Sequence, residues 1–197
     1  MARSRDGDKR ARLIAASFEQ FGERGFAAAR VCDIARRANV APGTVYTYFA
    51  DKQDLFRCTV QYGWDEFQTE LDRLLRTPGD FHYRFDALLD YGFDLLHSVY
   101  PIVRGMAEEA NRLDLFNENL ERLCAGLERL LERHPEAGGV FAVRDPDLRT
   151  YFLKITVLGI LFKVALAAPE ELDHEISEMK AAVKQGFLHP PSPEEPV

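Results

Sequence analysis

The sequence predicts an all-α protein, and three observations predict it. Apolar residues recur at spacings of three and four in segment after segment. No stretch sustains the period-two alternation of a half-buried strand, and no Asn-Gly or Asp-Gly hairpin interrupts the pattern. The composition, 46% hydrophobic and 29% charged over 197 residues, is that of one or two small globular domains with enough apolar material for a core.

The elements follow in order. Leu13, Ile14, Phe18 and Phe21 form a first apolar stripe that ends at Gly25, with Ser17 small enough to sit within it. Val31, Ile34, Ala35 and Ala38 form a short second stripe, and Pro42 opens a third short helix running to about Phe49. Asp51, a good N-cap with Asp54 three residues on, starts a long helix. Phe56, Val60, Trp64, Phe67, Leu71 and Leu74 carry it to the stop at Thr77-Pro78-Gly79. Further helices are expected over 81–98, 101–112 and 115–134, the last with Phe116, Leu120, Leu123, Leu127 and Leu130 inward. A loop spans His134-Pro135 to Asp145-Pro146. The helix over 148–168 is apolar nearly all round and should be covered on several sides. Leu172, Ile176, Met179, Val183 and Phe187 make a clean stripe on the last helix. The division expected is a head at 1–52, a body at 53–189 and a disordered Pro-rich tail at 190–197.

Charge and cysteine content exclude several classes. Residues 1–57 carry a net charge of +4 and the remainder −11, which gives −7 in all. A basic head on an acidic body lets the head meet a polyanion while the body repels it. Cys32, Cys58 and Cys124 are odd in number and form no C-x-x-C pair, so neither a disulfide scaffold nor a zinc ribbon is indicated, and a reducing cytoplasm is expected. The N-terminus leads into no secretory h-region. The most apolar run, from Tyr151 to Pro169, is interrupted by Lys154 and Lys163, so no membrane span is expected. No Ser/His/Asp spacing or phosphate-binding Gly loop points to an enzyme, and no cofactor is called for. Glu171 and His174 form a single E-x-x-H, where a di-metal bundle needs two, so no metal is expected. Cys32 sits in the head and could sense oxidation, but a lone buried Cys is usually inert packing, the reading preferred here.

Residues 30–49, RVCDIARRANVAPGTVYTYF, carry the chemistry. Two short helices crossing steeply need a small residue where the backbones meet, and Ala35 fits. The turn needs tolerance of left-handed φ, and Asn39 is the best residue for it after Gly. Val40 should then be buried, with Val45 and Phe49 inward. That leaves Thr44, Tyr46, Thr47 and Tyr48 at or near the outer face, where hydroxyls bond phosphate oxygens and apolar atoms meet thymine methyls. Gly43 lets a backbone approach closely, and Lys52 puts a cation at a helix start.

The pattern I-A-x-x-A-x-V-x-x-G-T-x-Y-x-Y-F-x-x-K-x-x-L, Ile34 to Leu55, resembles the helix-turn-helix of the tetracycline-repressor (TetR) family of bacterial transcription regulators. With Phe18, Phe21, Gly22 and Gly25-Phe26 the resemblance covers about 45 residues, and beyond them it rests on length, helical content and order. It implies that Pro42, Gly43 and Tyr46 meet base edges, that Thr44, Tyr48 and Lys52 hold phosphates, and that Thr47 adds a contact. Ala41 stands where a Ser often caps the recognition helix, which costs about 1 kcal/mol. Ala29 and Arg30 replace a Thr-rich helix start, with Arg30 a substitute cation. The N-terminal arm with Arg3, Arg5, Lys9 and Arg10 reads either as a groove contact or as a solvated tail.

The resemblance further implies a homodimer, since one short helix reads too few bases, and a small-molecule pocket in the body. Leu158, Phe162, Leu172, Ile176, Met179, Val183 and Phe187 are the expected interface. Trp64, Phe67, Phe93, His97, Tyr100, Met106, Phe116 and Tyr151 are candidates to line an effector pocket, apolar or aromatic in character, although aromatic stripes are more often core than ligand box. Asp86, Asp90 and Asp94 stack on one face and are expected to look into water. The function expected is a ligand-responsive regulator, a repressor released from a palindromic double-stranded operator by its effector. The alternatives are a DNA-binding regulator controlled by a protein partner or acting constitutively, and a helical-bundle enzyme.

Overall fold

A computed structural model describes residues 2–107, 114–132 and 145–188, with side chains over 7–105, 119–130 and 145–187. Nine α-helices and no strand stand among the described residues. They are α1 (Ala2–Ala28), α2 (Val31–Arg37), α3 (Pro42–Tyr48), α4 (Lys52–Arg76), α5 (Phe81–Ser98), α6 (Tyr100–Ala107), α7 (Asp114–Glu132), α8 (Pro146–Leu166) and α9 (Leu172–Leu188). A 3-10 turn at Pro169–Glu171 precedes α9. The chain forms two compact units, one from Met1–Phe67 with Ser98–Leu115, the other from Gln68–His97 with Phe116–Val197. The expected tail at 190–197 and most of the loop after His134 lie outside the described residues.

In the first unit α1 packs on α6 and α2, and α2 on α3. Leu13, Phe21, Ile34, Leu55 and Phe56 are fully buried. Ser17 is buried as expected, its hydroxyl donating to the Leu13 carbonyl at 2.6 Å. Gly25 breaks α1 with φ 71 and ψ 172, a conformation that a side chain disfavours. Pro101 sits against that break, its Cβ 3.8 Å from where a Gly25 Cβ would lie.

The turn between α2 and α3 is built as its sequence predicts. Asn39 adopts φ 54, in the left-handed region. The Val40 amide donates to the Ala35 carbonyl at 2.9 Å and closes the turn. Val40 itself is half-buried rather than buried, because Ala38, at 4% exposure, takes the inward place beside it. Asp51 caps α4 by accepting from the Asp54 amide at 2.7 Å. Asp54 reaches back one residue further than the usual reciprocal box, to the Ala50 amide at 3.1 Å.

The second unit buries Phe81, Phe85, Leu88 and Phe93 of α5, Leu120, Leu123, Leu127 and Leu130 of α7, Leu153 and Val164 of α8, and Leu172 and Phe187 of α9. Phe85 stacks on Phe81 at 5.6 Å and on Phe187 at 6.0 Å. Three expectations are corrected here. The aspartate stripe of α5 does not simply face water, because Lys184 donates to Asp86 at 2.8 Å and Lys180 pairs with Asp90. α8 is also not covered all round. Tyr151, Phe152, Ile155, Leu158, Phe162 and Leu166 leave one apolar side open, since the neighbouring helices of the unit hold only the side that carries Leu153 and Val164. Cys32, expected to be buried, is exposed on α2, because Ile34 and Ala35 occupy that helix's inner face.

Substituting Asn39→Val should lower unfolding stability by about 1–2 kcal/mol, the cost of a Cβ-branched residue in the left-handed region, whereas Asn39→Gly should be nearly neutral. Urea midpoints of the three proteins compare them directly.

Candidate nucleic-acid interface

α3 is seven residues long and lacks a side-chain cap, as Ala41 at its N-cap position predicts. Its helical form therefore rests on packing more than on propensity. Val45, at 1% exposure, and Phe49, at 2%, anchor its inner face. The opposite face carries Pro42, Gly43, Tyr46 and Thr47, all exposed, with Thr44 and Tyr48 half-buried at its edges. Tyr46 is 59% exposed, a large amphipathic side chain held in water. No side-chain or distant backbone atom lies within 4 Å of where a Gly43 Cβ would sit, so the helix start is open to an approaching backbone. Arg30 is exposed at the N-cap of α2.

The neighbouring contacts fix the presentation of α3. Arg12 of α1 donates to the Ala38 carbonyl at 3.2 Å, placing a cation at the C-terminal end of α2. Arg37 donates to Glu19 at 3.0 Å and grips Glu23 through two bonds of 2.8 and 3.1 Å. The hydrogen bond from Arg37 holds the Glu23 carboxyl below its ordinary range. Arg10 lies 5.4 Å from the centre of the Phe49 ring.

Lys52 sits at the start of α4, but its ammonium turns inward. It lies 4.6 Å over the Phe26 ring and donates to the Ala27 carbonyl at 3.3 Å. Burial lowers its pKa from the ordinary lysine value. To reach a phosphate outside the head it must leave this seat. Phe26 as the partner of Lys52 was not evident from sequence, since 26 positions separate them and the only local hint is the Gly25-Phe26 break.

The remaining candidates fall in different places. Trp64 and Phe67 are half-buried in the first unit, edge to face at 6.3 Å. Tyr100, also in the first unit, is 7% exposed, and its hydroxyl accepts from Arg104 at 3.1 Å. In the second unit Phe93 is buried and His97 is exposed, its Nε2 2.8 Å from Oδ1 of Asp173. Tyr151 is 61% exposed on the open side of α8, with Leu158 and Phe162. Ile176, Met179 and Val183 of α9 are half-buried, and Leu172 and Phe187 are buried within their own unit. The side chains of Met106 and Phe116 lie outside the described residues. Among the described residues no group of three or more His, Cys, Asp or Glu gathers at a possible metal site.

A short helix docked behind a tight turn, with an outward face of Tyr, Thr and Gly, defines a helix-turn-helix protein. Residues 13–58 match the model of the bacterial regulatory proteins of the tetR family. The chain is 32% identical over 89 residues to the HTH-type transcriptional activator FasR of Mycolicibacterium smegmatis, covering 45% of this chain and 41% of that protein. It is 35% identical over 88 residues to the HTH-type transcriptional regulator BetI of Escherichia coli, covering 44% of this chain and 45% of that protein. The match thus spans less than half the length of these curated relatives. Among solved structures, a TetR-family regulator from Pectobacterium atrosepticum superposes with a TM-score of 0.70 at 22% identity, covering 96% of this chain and 99% of that one. The regulator FadR from Bacillus subtilis, in complex with stearoyl-CoA, gives 0.66 at 18% identity, covering 91% and 97%. These likenesses show that the all-helical fold behind the head is that of the same regulators.

The cap of α4 has a measurable pH dependence. The hydrogen bond from the Ala50 amide, with Arg57 beside it, lowers the Asp54 pKa below the ordinary aspartate value of 3.8. Its stabilisation is present above that value and is lost as pH falls through the lower folded pKa. Thermal melts below about pH 4 should show this loss, and Asp54→Asn should flatten that part of the profile.

Proposed function

We propose that this protein is a transcription regulator that binds double-stranded operator DNA as a homodimer and answers to a small-molecule effector. The observation that carries the reading is the outward face of α3, with Tyr46 and Thr47 exposed in a head that matches the tetR family. Pro42, Gly43 and Tyr46 meet base edges, and Thr44, Thr47 and Tyr48 hold flanking phosphates. Arg30 and a swung-out Lys52 add cations. Binding of two half-sites one helical turn apart, about 34–36 Å, makes the operator palindromic and fits a two-fold dimer.

The open side of α8 supports the dimer. Leu158 and Phe162, with Tyr151 and Ile155 beside them, are exposed at 40 to 63% and would be covered by the same face of a second copy. The edge of α9 at Ile176, Met179 and Val183 extends that face. The effector is small and apolar or aromatic, and the aromatic content of α4 and α5 suits it. The complex of Bacillus subtilis FadR with stearoyl-CoA supports an apolar ligand. Repression by the free dimer, release by the effector and a cytoplasmic location complete the reading.

Fluorescence anisotropy with duplexes from the gene's own neighbourhood, at two salt concentrations, tests it. Sequence-dependent binding that weakens with salt is the expected result. Equal affinity for every duplex would overturn it. Tyr46→Ala should cost about 1–3 kcal/mol and relax discrimination at one base pair, while Thr44→Ala should weaken all sequences alike. Phe162→Glu should give a monomer in sedimentation and lose most operator affinity. An effector must bind the free protein more tightly than the operator complex, by the same factor with which it weakens DNA binding.

A further inference from the structure

The first unit contains a cleft of about 590 Å³ where the broken end of α1, the start of α4 and the start of α6 meet. That size is in the range of small-ligand sites. Its walls are the segment Glu23–Ala28, Lys52, and Tyr100, Pro101, Arg104 and Gly105. The shape comes from the Gly25 break, which turns Phe26 and Ala27 toward α4 while α6 packs behind. A Cβ at Gly25 would meet Pro101 at 3.6 Å, and one at Gly105 would meet Phe26 at 3.5 Å, so α6 and the break are in close contact.

The charges in this cleft are unequal. Among the described residues that line it, Arg24, Lys52 and Arg104 stand with one carboxylate, Glu23, which is already held by both arms of Arg37, and Arg104 also donates to the Tyr100 hydroxyl. Among the described residues Arg24 and Lys52 meet no carboxylate within salt-bridge distance. The Lys52 ammonium lies over a ring face and donates to one carbonyl at 3.3 Å, on a half-buried side chain. Burial already disfavours its charge, and an anion would restore that charge a partner. A cleft lined with one sign of charge focuses its field on a small counter-ion, and guanidinium forks bind phosphate oxygens in pairs.

We propose that this cleft is a phosphate site, in which Arg24, Lys52 and Arg104 bind a phosphate-bearing anion at the junction of α1, α4 and α6. The site is separate from the outer face of α3 but shares Lys52 with the DNA contacts proposed above, and only its free-anion arm stands without that reading. Two sources supply the chemistry, a free phosphorylated metabolite or a backbone phosphate of bound DNA. With a free anion in place, Lys52 is held in the cleft and unavailable to DNA.

The test is calorimetric titration of the full-length protein with inorganic pyrophosphate at low salt, on the wild type and on Arg24→Ala/Arg104→Ala. Both arginines are exposed, and circular dichroism checks that the variant folds. The expected result is one pyrophosphate per chain in the wild type and at least tenfold weaker binding in the double variant. A second arm measures the salt dependence of binding to a random-sequence duplex, which needs no operator. If pyrophosphate does not bind but the double variant lowers the slope of log affinity against log salt by about one to two, the phosphate is that of DNA and the site stands. Pyrophosphate binding equal in the two proteins would overturn the proposal. So would the absence of pyrophosphate binding together with an unchanged salt slope.

Discussion

The head depends on a knot of three phenylalanines. Phe21 and Phe26 each meet Phe56 edge to face at 5.0 Å, and they stack on one another at 6.0 Å. Edge-to-face pairs add about 0.5–1.5 kcal/mol each to what area burial alone provides. This knot joins the two ends of the motif, since Phe21 and Phe26 belong to α1 and Phe56 to α4. With those helices fixed, α2 and α3 have a floor to pack on, and a helix as short and uncapped as α3 can persist. Phe26 reaches the knot only because Gly25 turns the chain, and its outer face then receives the Lys52 ammonium. One backbone break thus supplies the aromatic core and the seat of a surface cation.

Local chemistry was legible in the sequence. The left-handed Asn39, the Asp51 cap, the missing cap at Ala41, and the inward Val45 and Phe49 each depend on residues within a turn or two. The helix-turn-helix was therefore readable almost residue by residue. Less legible was everything fixed by which helices face one another. Asp86 finds Lys184 across 98 positions and His97 finds Asp173 across 76, and no periodicity encodes such pairings. The inward seat of Lys52 belongs to this kind, as does the open side of α8, whose residues looked uniformly apolar in sequence.

In the second unit, polar pairs orient helices that apolar packing alone leaves free to slide. Arg149 of α8 donates to both oxygens of Glu128 on α7, at 2.8 and 3.0 Å from Nε, and both side chains are mostly buried. Lys163 of α8 reaches Glu175 of α9 at 2.9 Å. The exposed pairs between α5 and α9 contribute about 0–1 kcal/mol each, so they set register more than stability. The acidic body is thereby partly neutralised from within, while the basic residues of the head remain at its surface.

The three thiols also stand in very different environments. Burial pushes the Cys124 thiol up to about 11, so near neutral pH only about one molecule in ten thousand holds it as the reactive thiolate. Cys32 is open to solvent on α2, and Cys58 is half-covered, with the Arg10 guanidinium 3.5 Å from its sulfur. A maleimide dye therefore attaches first at Cys32. The chain thus carries its own fluorophore anchor one helix away from α3, suited to reporting on the surroundings of that helix without an engineered residue.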